Sequence, residues 1–282
     1  MSPANFLLSR WLLGVLLMLS SPLALADLVL FPTRLVFDGN QRAAQVELMN
    51  QGKSPETYRL SLVNRRMGEN GEFIAIETPG PGEQFADGLL RYSPRQVTLP
   101  PGGSQVVRLQ LRKPDGLAAG EYRSHLQIDR VAEASGSSSV EAVAQRSAKD
   151  VGIAIQALVG ASIPVIVRHG ATQASVSLSE LSLLTATPAA PGGQLQLQMN
   201  RQGNRSVYGD LLVVFTTTAG VTVELAKAGG VAVYAPNALR RARLPLQLPA
   251  GTALRGGTLK VSYRDRPEAG GKLLAEASLV LP

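Results

Sequence analysis

Residues 150–168 read DVGIAIQALVGASIPVIVR, and the interpretation of the whole chain depends on this stretch. Nine apolar residues occupy every second position from 151 to 167. A period of two is typical of a β-strand, because successive side chains leave opposite faces of a sheet. At roughly 3.3 Å per residue the strand would span about 60 Å, whereas ordinary strands have about 3–10 residues. A strand that outgrows its own sheet leaves an unpaired edge, and such edges find partners.

Pro164 favours an edge position, because proline within a sheet is found at edges, at strand starts and at bulges. Two interpretations of the stretch remain open from the pattern alone. In the first, a buried core strand is followed, after a bulge at Pro164, by a second strand. In the second, the strand is lent to another protein and completes that protein's sheet.

The first 26 residues have the pattern of a secretory signal peptide that is cleaved before Asp27. Arg10 supplies a positive charge, residues 11–19 form a short apolar run, and Ala-Leu-Ala at 24–26 suits a signal peptidase. The alternative is a membrane anchor, but the run is shorter than the ~20 residues that a spanning helix needs. We therefore expect an exported, soluble mature protein.

The composition limits the classes of partner. The chain has 282 residues, which after cleavage suits two domains of ordinary size. It has no cysteine, so its hydrophobic cores must stabilise it without disulfides. The formal net charge of +7 would often indicate nucleic acid, but export and the scattered basic residues argue against that. An anionic or carboxylate-bearing protein partner fits better.

Short alternating runs separated by Gly, Pro, Asn and Asp predict antiparallel β-sandwiches. In the first half the predicted strands are 28–37 with a bend at Pro32, 44–50, 57–64, 73–76, 90–99 interrupted at Pro94, 104–111 and 120–131. In the second half they are 174–178, 195–200, 211–217, 221–224, 230–234, 241–246, 258–263 and 273–280. Residues 132–149 are small, polar and rich in serine, which indicates a mobile loop.

Several motifs, in order, resemble the periplasmic pilus chaperones of the PapD-like family. Residues 33–39, TRLVFDG, resemble the first strand of that family, and residues 100–109, PPGGSQVVRL, resemble its proline–glycine turn and the strand after it. Residues 121–124, EYRS, stand where the family has an acidic, arginine- and serine-containing strand start. The serine-rich loop and the stretch 150–168 stand where the family has its F–G loop and its G donor strand.

The resemblance implies an all-β protein with two immunoglobulin-like β-sandwich domains in a boomerang arrangement. The first would be a chaperone domain with a long G strand, residues 27–168, and the second would be residues 169–282. Such proteins are periplasmic, bind and stabilise pilus or fimbrial subunits by donor-strand complementation, and deliver them to an outer-membrane usher. The implied process is fimbrium biogenesis, a part of cell wall organization.

The resemblance also implies site residues. Arg34 matches an arginine that anchors the terminal carboxylate of the subunit, and a guanidinium can hold a carboxylate with two parallel hydrogen bonds. The family's second anchor, a lysine of the G strand, does not carry over, because Pro164 stands at its position. Arg168 matches an arginine linked to the contact between the domains, which implies an ion pair there; the alternative is a solvated strand end. The expected donor side chains are Ile153, Ile155, Ala157 and Val159.

An enzyme and a surface adhesin are the two other classes of function. An enzyme is not expected, because His125 and His169 are the only histidines and neither lies near a nucleophile motif or a metal cluster; no cofactor or metal is expected either. The alternative to a chaperone is a non-enzymatic surface adhesin or structural β-sandwich protein, which would keep the G strand in its own sheet. The exposed strand edge also predicts self-association of the free protein.

Overall fold

The structure is a computed structural model, and it describes residues 28–131, 160–249, 251 and 254–282. Within these ranges the chain forms eighteen strands and two 3-10 turns, at Asp87–Leu89 and Pro267–Ala269. The prediction of an all-β protein is therefore confirmed. In the part of the chain described here, no helix is long and apolar enough to cross a membrane.

The first eleven strands comprise a sandwich of nine strands and a separate two-stranded hairpin. They are β1 (Leu28–Phe31), β2 (Leu35–Phe37), β3 (Ala43–Asn50), β4 (Glu56–Val63), β5 (Arg65–Met67), β6 (Phe73–Ala75), β7 (Leu90–Ser93), β8 (Gln96–Leu99), β9 (Ser104–Leu111), β10 (Gly120–Arg130) and β11 (Ala161–His169). One sheet has the order β1-β3-β9-β7, the other has the order β2-β11-β10-β4-β8, and β5 and β6 form a separate hairpin. Alternate residues such as Phe37, Val46 and Leu126 are fully buried between the two sheets, and they form the core of this first sandwich.

The remaining seven strands form a second sandwich. They are β12 (Ala174–Leu184), β13 (Gln194–Gly203), β14 (Val207–Thr216), β15 (Thr222–Val233), β16 (Leu239–Pro245), β17 (Gly257–Asp265) and β18 (Leu273–Leu281). Its sheets have the orders β12-β13-β16 and β15-β14-β17-β18, and they enclose a separate core that includes Leu197, Val213 and Phe215. The prediction of two sandwiches is confirmed. The expected division between residues 168 and 169 falls at the last residue of β11.

Two strands that the sequence pattern predicts as single strands are each divided at a proline. The predicted strand 28–37 is two strands, because β1 pairs with β3 in one sheet and β2 pairs with β11 in the other. The predicted strand 90–99 likewise divides at Pro94 into β7 and β8, which belong to opposite sheets. A proline lacks the N–H that a continuous ladder needs, so the chain can cross between sheets at these points.

Glycine has the opposite effect in the second sandwich. The predicted strands 221–224 and 230–234 are parts of one strand, β15. A bulge opposite Asp210 accommodates Gly229 and Gly230, and Gly230 has a φ of 69° that a side chain would resist. The carboxylate of Asp210 accepts a hydrogen bond from the Gly230 N–H at 2.9 Å, so the bulge is held in place.

Strand β11 contains the described end of the stretch 150–168. It pairs with β10 antiparallel over all nine of its residues, without a register shift at Pro164, so the bulge of the first interpretation is absent there. Its other side pairs with β2, in parallel, only from Val165 to Val167. Among the described residues, the edge of β11 from Ala161 to Pro164 has no strand partner, and Pro164 is tolerated on that edge. Residues 151–159 lie outside the described residues.

Candidate binding cleft between the sandwiches

Arg34 stands at the point where the chain crosses from one sheet to the other. It directly precedes β2, whose first residue, Leu35, pairs with Val165 of β11. Its side chain reaches the second sandwich: Nη1 donates a hydrogen bond to the Tyr234 hydroxyl at 3.2 Å. Its guanidinium carbon lies 4.2 Å from the ring centroid of Tyr208 and 5.5 Å from that of Tyr234. Arg34 is therefore oriented by two aromatic rings of the second sandwich.

The two rings leave donors of Arg34 free for a ligand. Tyr234 is 5% exposed, and burial raises the pKa of its hydroxyl, so this group stays neutral and accepts the hydrogen bond from Arg34. A guanidinium has five N–H donors in one plane, and Tyr234 accepts from one of them. An arginine held this way can present an edge to a carboxylate while its face remains over a ring.

A second arginine lies against Tyr234. The guanidinium carbon of Arg123 is 4.3 Å from the centroid of the Tyr234 ring and 5.9 Å from that of Phe73. Its Nη2 donates to the carbonyl oxygen of Arg65 at 3.1 Å, and burial lowers the pKa of Arg123. Tyr234 is thus contacted by a cation from each of two first-sandwich segments, and this stack joins the two sandwiches.

Arg168 lies at the end of β11 and forms two ion pairs. Its Nη1 is 3.0 Å from Oδ2 of Asp38, and its Nε is 3.2 Å from Oε2 of Glu121. The hydrogen bond from Arg168 is the main reason why the pKa of Asp38 is lowered. Both carboxylates belong to the first sandwich, so neither ion pair of Arg168 crosses between the sandwiches.

Glu121 makes the connection to the second sandwich. Its side chain is only 1% exposed, and it accepts hydrogen bonds from both the backbone N–H and the hydroxyl of Ser206. The Ser206 hydroxyl oxygen in turn accepts the Ala235 N–H at 2.9 Å. Arg168 therefore supports the contact between the sandwiches through Glu121. The sequence indicated Glu121 only as part of a motif, and nothing in the sequence singled out Ser206.

The β5–β6 hairpin forms a further contact between the sandwiches. The carbonyl oxygen of Met67 accepts a hydrogen bond from Nδ2 of Asn237 at 2.6 Å, and Glu69 forms an ion pair with Arg241. The Met67 side chain is 2% exposed and packs in the core of the second sandwich. The side chain of Ile166, on the face of β11 opposite to Val165 and Val167, also packs in the core of the second sandwich. The orientation of the two sandwiches is thus supported by packing as well as by polar bonds.

A cleft of about 1050 Å³ lies between the sandwiches. Arg34 and Arg168, both predicted from the sequence, line it. Phe31, which is 73% exposed, lies at the same cleft, where a large exposed aromatic side chain can contact an apolar ligand group. The remaining predicted site residues, Ile153, Ile155, Ala157 and Val159, lie outside the described residues.

His125 is buried against an aromatic ring of the β5–β6 hairpin. His125 is 3% exposed, and burial, with the charges of Arg123 and Arg65, lowers its pKa to about 3. Its ring contacts Phe73 edge-on, with centroids 5.1 Å apart. In the described ranges, no group of three or more His, Asp or Glu side chains is arranged to hold a metal ion.

No protein-family model matches the chain, and no curated protein matches it. Solved structures do resemble it. One is the CupB2 chaperone of Pseudomonas aeruginosa, with 13% identity and a TM-score of 0.42, covering 90% of this chain and 100% of that one. Another is a CsuC–CsuE complex of a chaperone with a tip adhesion subunit, from the Csu pili of Acinetobacter baumannii, with 14% identity, a TM-score of 0.44, and coverage of 91% and 98%. A third is a complex of the Salmonella enterica SafA pilin with the SafB chaperone. It has 14% identity and a TM-score of 0.42, and the match covers 91% of this chain and 97% of that one.

Proposed function

We propose that the protein is a periplasmic chaperone for pilus or fimbrial subunits. It would bind a subunit by lending it the strand that ends in β11, a form of β-augmentation, and would deliver the subunit to an outer-membrane usher. In this proposal the protein is not an enzyme and needs no cofactor. The proposal combines the sequence resemblance with the geometry around Arg34.

One observation carries the proposal: Arg34 lies where the open edge of β11 ends. Strand β2 occupies the edge from Val165 onward, and its first residue, Leu35, pairs with Val165. A strand added to the open edge must therefore stop beside Arg34, which directly precedes Leu35. A guanidinium at that point favours a carboxylate, and a terminal carboxylate is the charged group that an ending chain carries.

This geometry also favours one direction for the added strand. Strand β11 runs from Ala161 toward His169, and β2 follows it in parallel. Only a strand parallel to β11 would bring its carboxyl end to Arg34, whereas an antiparallel strand would bring its positively charged amino end. The proposed subunit strand therefore runs in parallel with β11 and ends at the cleft.

Residues upstream of β11 would supply the side chains. In this proposal the apolar positions Ile153, Ile155, Ala157 and Val159 fill alternate pockets in the groove of the subunit, while the main chain forms the ladder. A charge placed in such a groove would be strongly unfavourable. The opposite face, which carries Gln156, would remain outside the groove.

Co-expression with candidate pilus subunits tests the proposal. The parent protein should yield a soluble one-to-one complex in the periplasm, identified by mass spectrometry of the co-purified chain. The double variant Ile153→Asp/Ile155→Asp should lose the subunit while its own circular dichroism stays unchanged. Gln156→Asp is the matched control, because it adds a charge to the same segment on the other face.

Two outcomes would overturn the proposal. If the parent protein recovers no subunit, an adhesin or structural protein becomes the better assignment. If the double variant recovers subunits as well as the parent does, the lent strand is not the binding element. The mass of the periplasmic protein tests the export proposal, which requires a mature chain that begins at Asp27.

A further inference from the structure

The cleft contains a second arginine without a carboxylate partner. Arg34, Arg168, Arg205 and Arg266 all line the cleft. Arg168 and Arg266 each form ion pairs with two carboxylates. Within the described ranges, Arg34 and Arg205 form none. The two arginines left for a ligand therefore come from different sandwiches, Arg34 from the first and Arg205 from the second.

The backbone around Arg205 is fixed on both sides. Arg205 lies in the turn between β13 and β14, where the buried Arg201 donates hydrogen bonds from Nη1 to the carbonyl oxygens of Arg205 at 2.9 Å and Gly203 at 2.7 Å. The next residue, Ser206, is held by the carboxylate of Glu121. This turn is therefore a rigid support for the Arg205 side chain.

The side chain of Arg205 has an unsatisfied donor. Its Nε is shielded from solvent and has no hydrogen-bond partner among the described residues. A buried donor without a partner is costly, and a charged one especially so. The pKa of Asp38 is lowered chiefly by the hydrogen bond from Arg168, and the charge of Arg205 adds to that effect. Arg205 is therefore close enough to act electrostatically on the wall formed by the first sandwich.

We infer that Arg205 is the second cation of the carboxylate site, and that it holds the terminal carboxylate of the bound chain together with Arg34. This inference rests on the proposed function and extends it. The strand position level with Arg34 is Pro164, which offers neither a charge nor an N–H, so no second cation comes from β11 there. Lys272 also lines the cleft, but it is exposed, and water solvates its ammonium group.

Nuclear magnetic resonance of the arginine side chains tests the inference without a subunit. The Nε–H signals of the ¹⁵N-labelled protein are followed during titration with N-acetylglycine, which is a minimal terminal carboxylate, and with N-acetylglycinamide, which lacks the charge. The signals of Arg34 and Arg205 should shift and saturate together with the acid and not with the amide. The signal of Arg243, an exposed arginine of β16, is the internal control.

Substitution of Arg205 gives the second measurement. Arg205→Ala should weaken binding of N-acetylglycine, measured at the Arg34 signal, by about tenfold or more. Arg205→Lys should recover part of the loss, since it keeps the charge and not the fork of donors. Thermal unfolding of each variant checks that the turn remains folded, and Arg243→Ala should bind as the parent does.

The inference and the proposed function can fail separately. If the acid shifts the Arg34 signal alone, or if Arg205→Ala binds the acid as the parent does, Arg205 is not part of the site. If neither arginine responds to the acid, the two-arginine site is overturned, although co-expression can still show subunit capture through the lent strand. If both arginines respond but no subunit is captured, the carboxylate site stands and the chaperone function falls.

Discussion

The guanidinium of Arg34 lies over the ring of Tyr208, with its carbon 4.2 Å from the ring centroid, although 174 positions separate the two residues in the sequence. A cationic side chain of the first sandwich is thus held by a ring of the second. Its orientation depends on how the two sandwiches contact each other.

Removal of the Arg34 side chain should weaken subunit binding by well over tenfold, because the loss of a buried charged partner commonly costs about 2–5 kcal/mol. Arg34→Lys should restore only part of the affinity, since a lysine lacks the planar fork. Tyr208→Leu should give an intermediate loss, because the charge stays while its support is removed. Calorimetric titration with a purified subunit measures all three, with Arg243→Ala as control. Unchanged affinity in Arg34→Ala would assign the anchor elsewhere.

Removal of Glu121 should destabilise the protein. Its buried carboxylate accepts hydrogen bonds from Arg168 and Ser206, so Glu121→Ala leaves these donors without a partner at the contact between the sandwiches. The loss in free energy of unfolding should be about 3 kcal/mol, measured by urea denaturation. Glu276→Ala is the control, because its ion pair with Lys260 is exposed and should be worth less than about 1 kcal/mol. Equal effects of the two changes would contradict the structural role of Glu121.

The buried His125 should make the protein less stable as the pH falls. Its pKa is about 3 in the folded protein, below the roughly 6.5 of an unfolded chain. Above pH ~6.5 the ring is neutral in both states and contributes no pH dependence. Between these two values the unfolded state binds the additional proton, so the free energy of unfolding should fall by at most about 1.4 kcal/mol per pH unit.

His125→Phe should remove that dependence while keeping a ring against Phe73. The comparison is between the slopes of unfolding free energy of the variant and the parent from about pH 6 to pH 5, where most carboxylates are still ionised. Parallel slopes for the parent and His125→Phe would show that His125 is accessible to protons in the folded state.

The free protein should form dimers that dissociate when a subunit is added. The edge of β11 from Ala161 to Pro164 is open among the described residues, and the alternating apolar sequence continues upstream of it. Such an edge favours pairing with a second copy. Sedimentation velocity over a concentration series measures this association, and Ile153→Asp/Ile155→Asp should sediment as a monomer. A parent protein that is monomeric at every concentration would contradict the prediction.

Most of the fold could be predicted from local patterns. Strand β9 begins and ends where alternation predicted it, at Ser104 and Leu111, because its buried and exposed residues alternate without interruption. Strand β5, Arg65–Met67, was missed, since two arginines and a methionine show no alternation, and Met67 is buried by the other sandwich. A local pattern also cannot predict that β1 and β2, on either side of Pro32, belong to different sheets. That depends on which distant strand is available for pairing.

The candidate site could be predicted only in part. Arg34 and Arg168 were identified because they lie in motifs of the first sandwich that resemble a family. Tyr208, Tyr234 and Arg205 lie in ordinary strand and turn sequences, and only the contact between the sandwiches brings them to the cleft. A sequence pattern reports which face a residue occupies and not which distant residue lies opposite it.

The position of β2 would set the register of a bound subunit strand. Leu35 occupies the edge of β11 at Val165, so an incoming strand would have to end before that position. The register of the strand would then be set by its last residue. A hairpin sets its alignment by its turn, whereas here the end of the guest chain would do so. One residue added to or removed from that end would exchange the inward and outward sets of side chains. A subunit of the wrong length would thus be rejected even with a suitable composition, and the cleft would act as a gauge of chain ends.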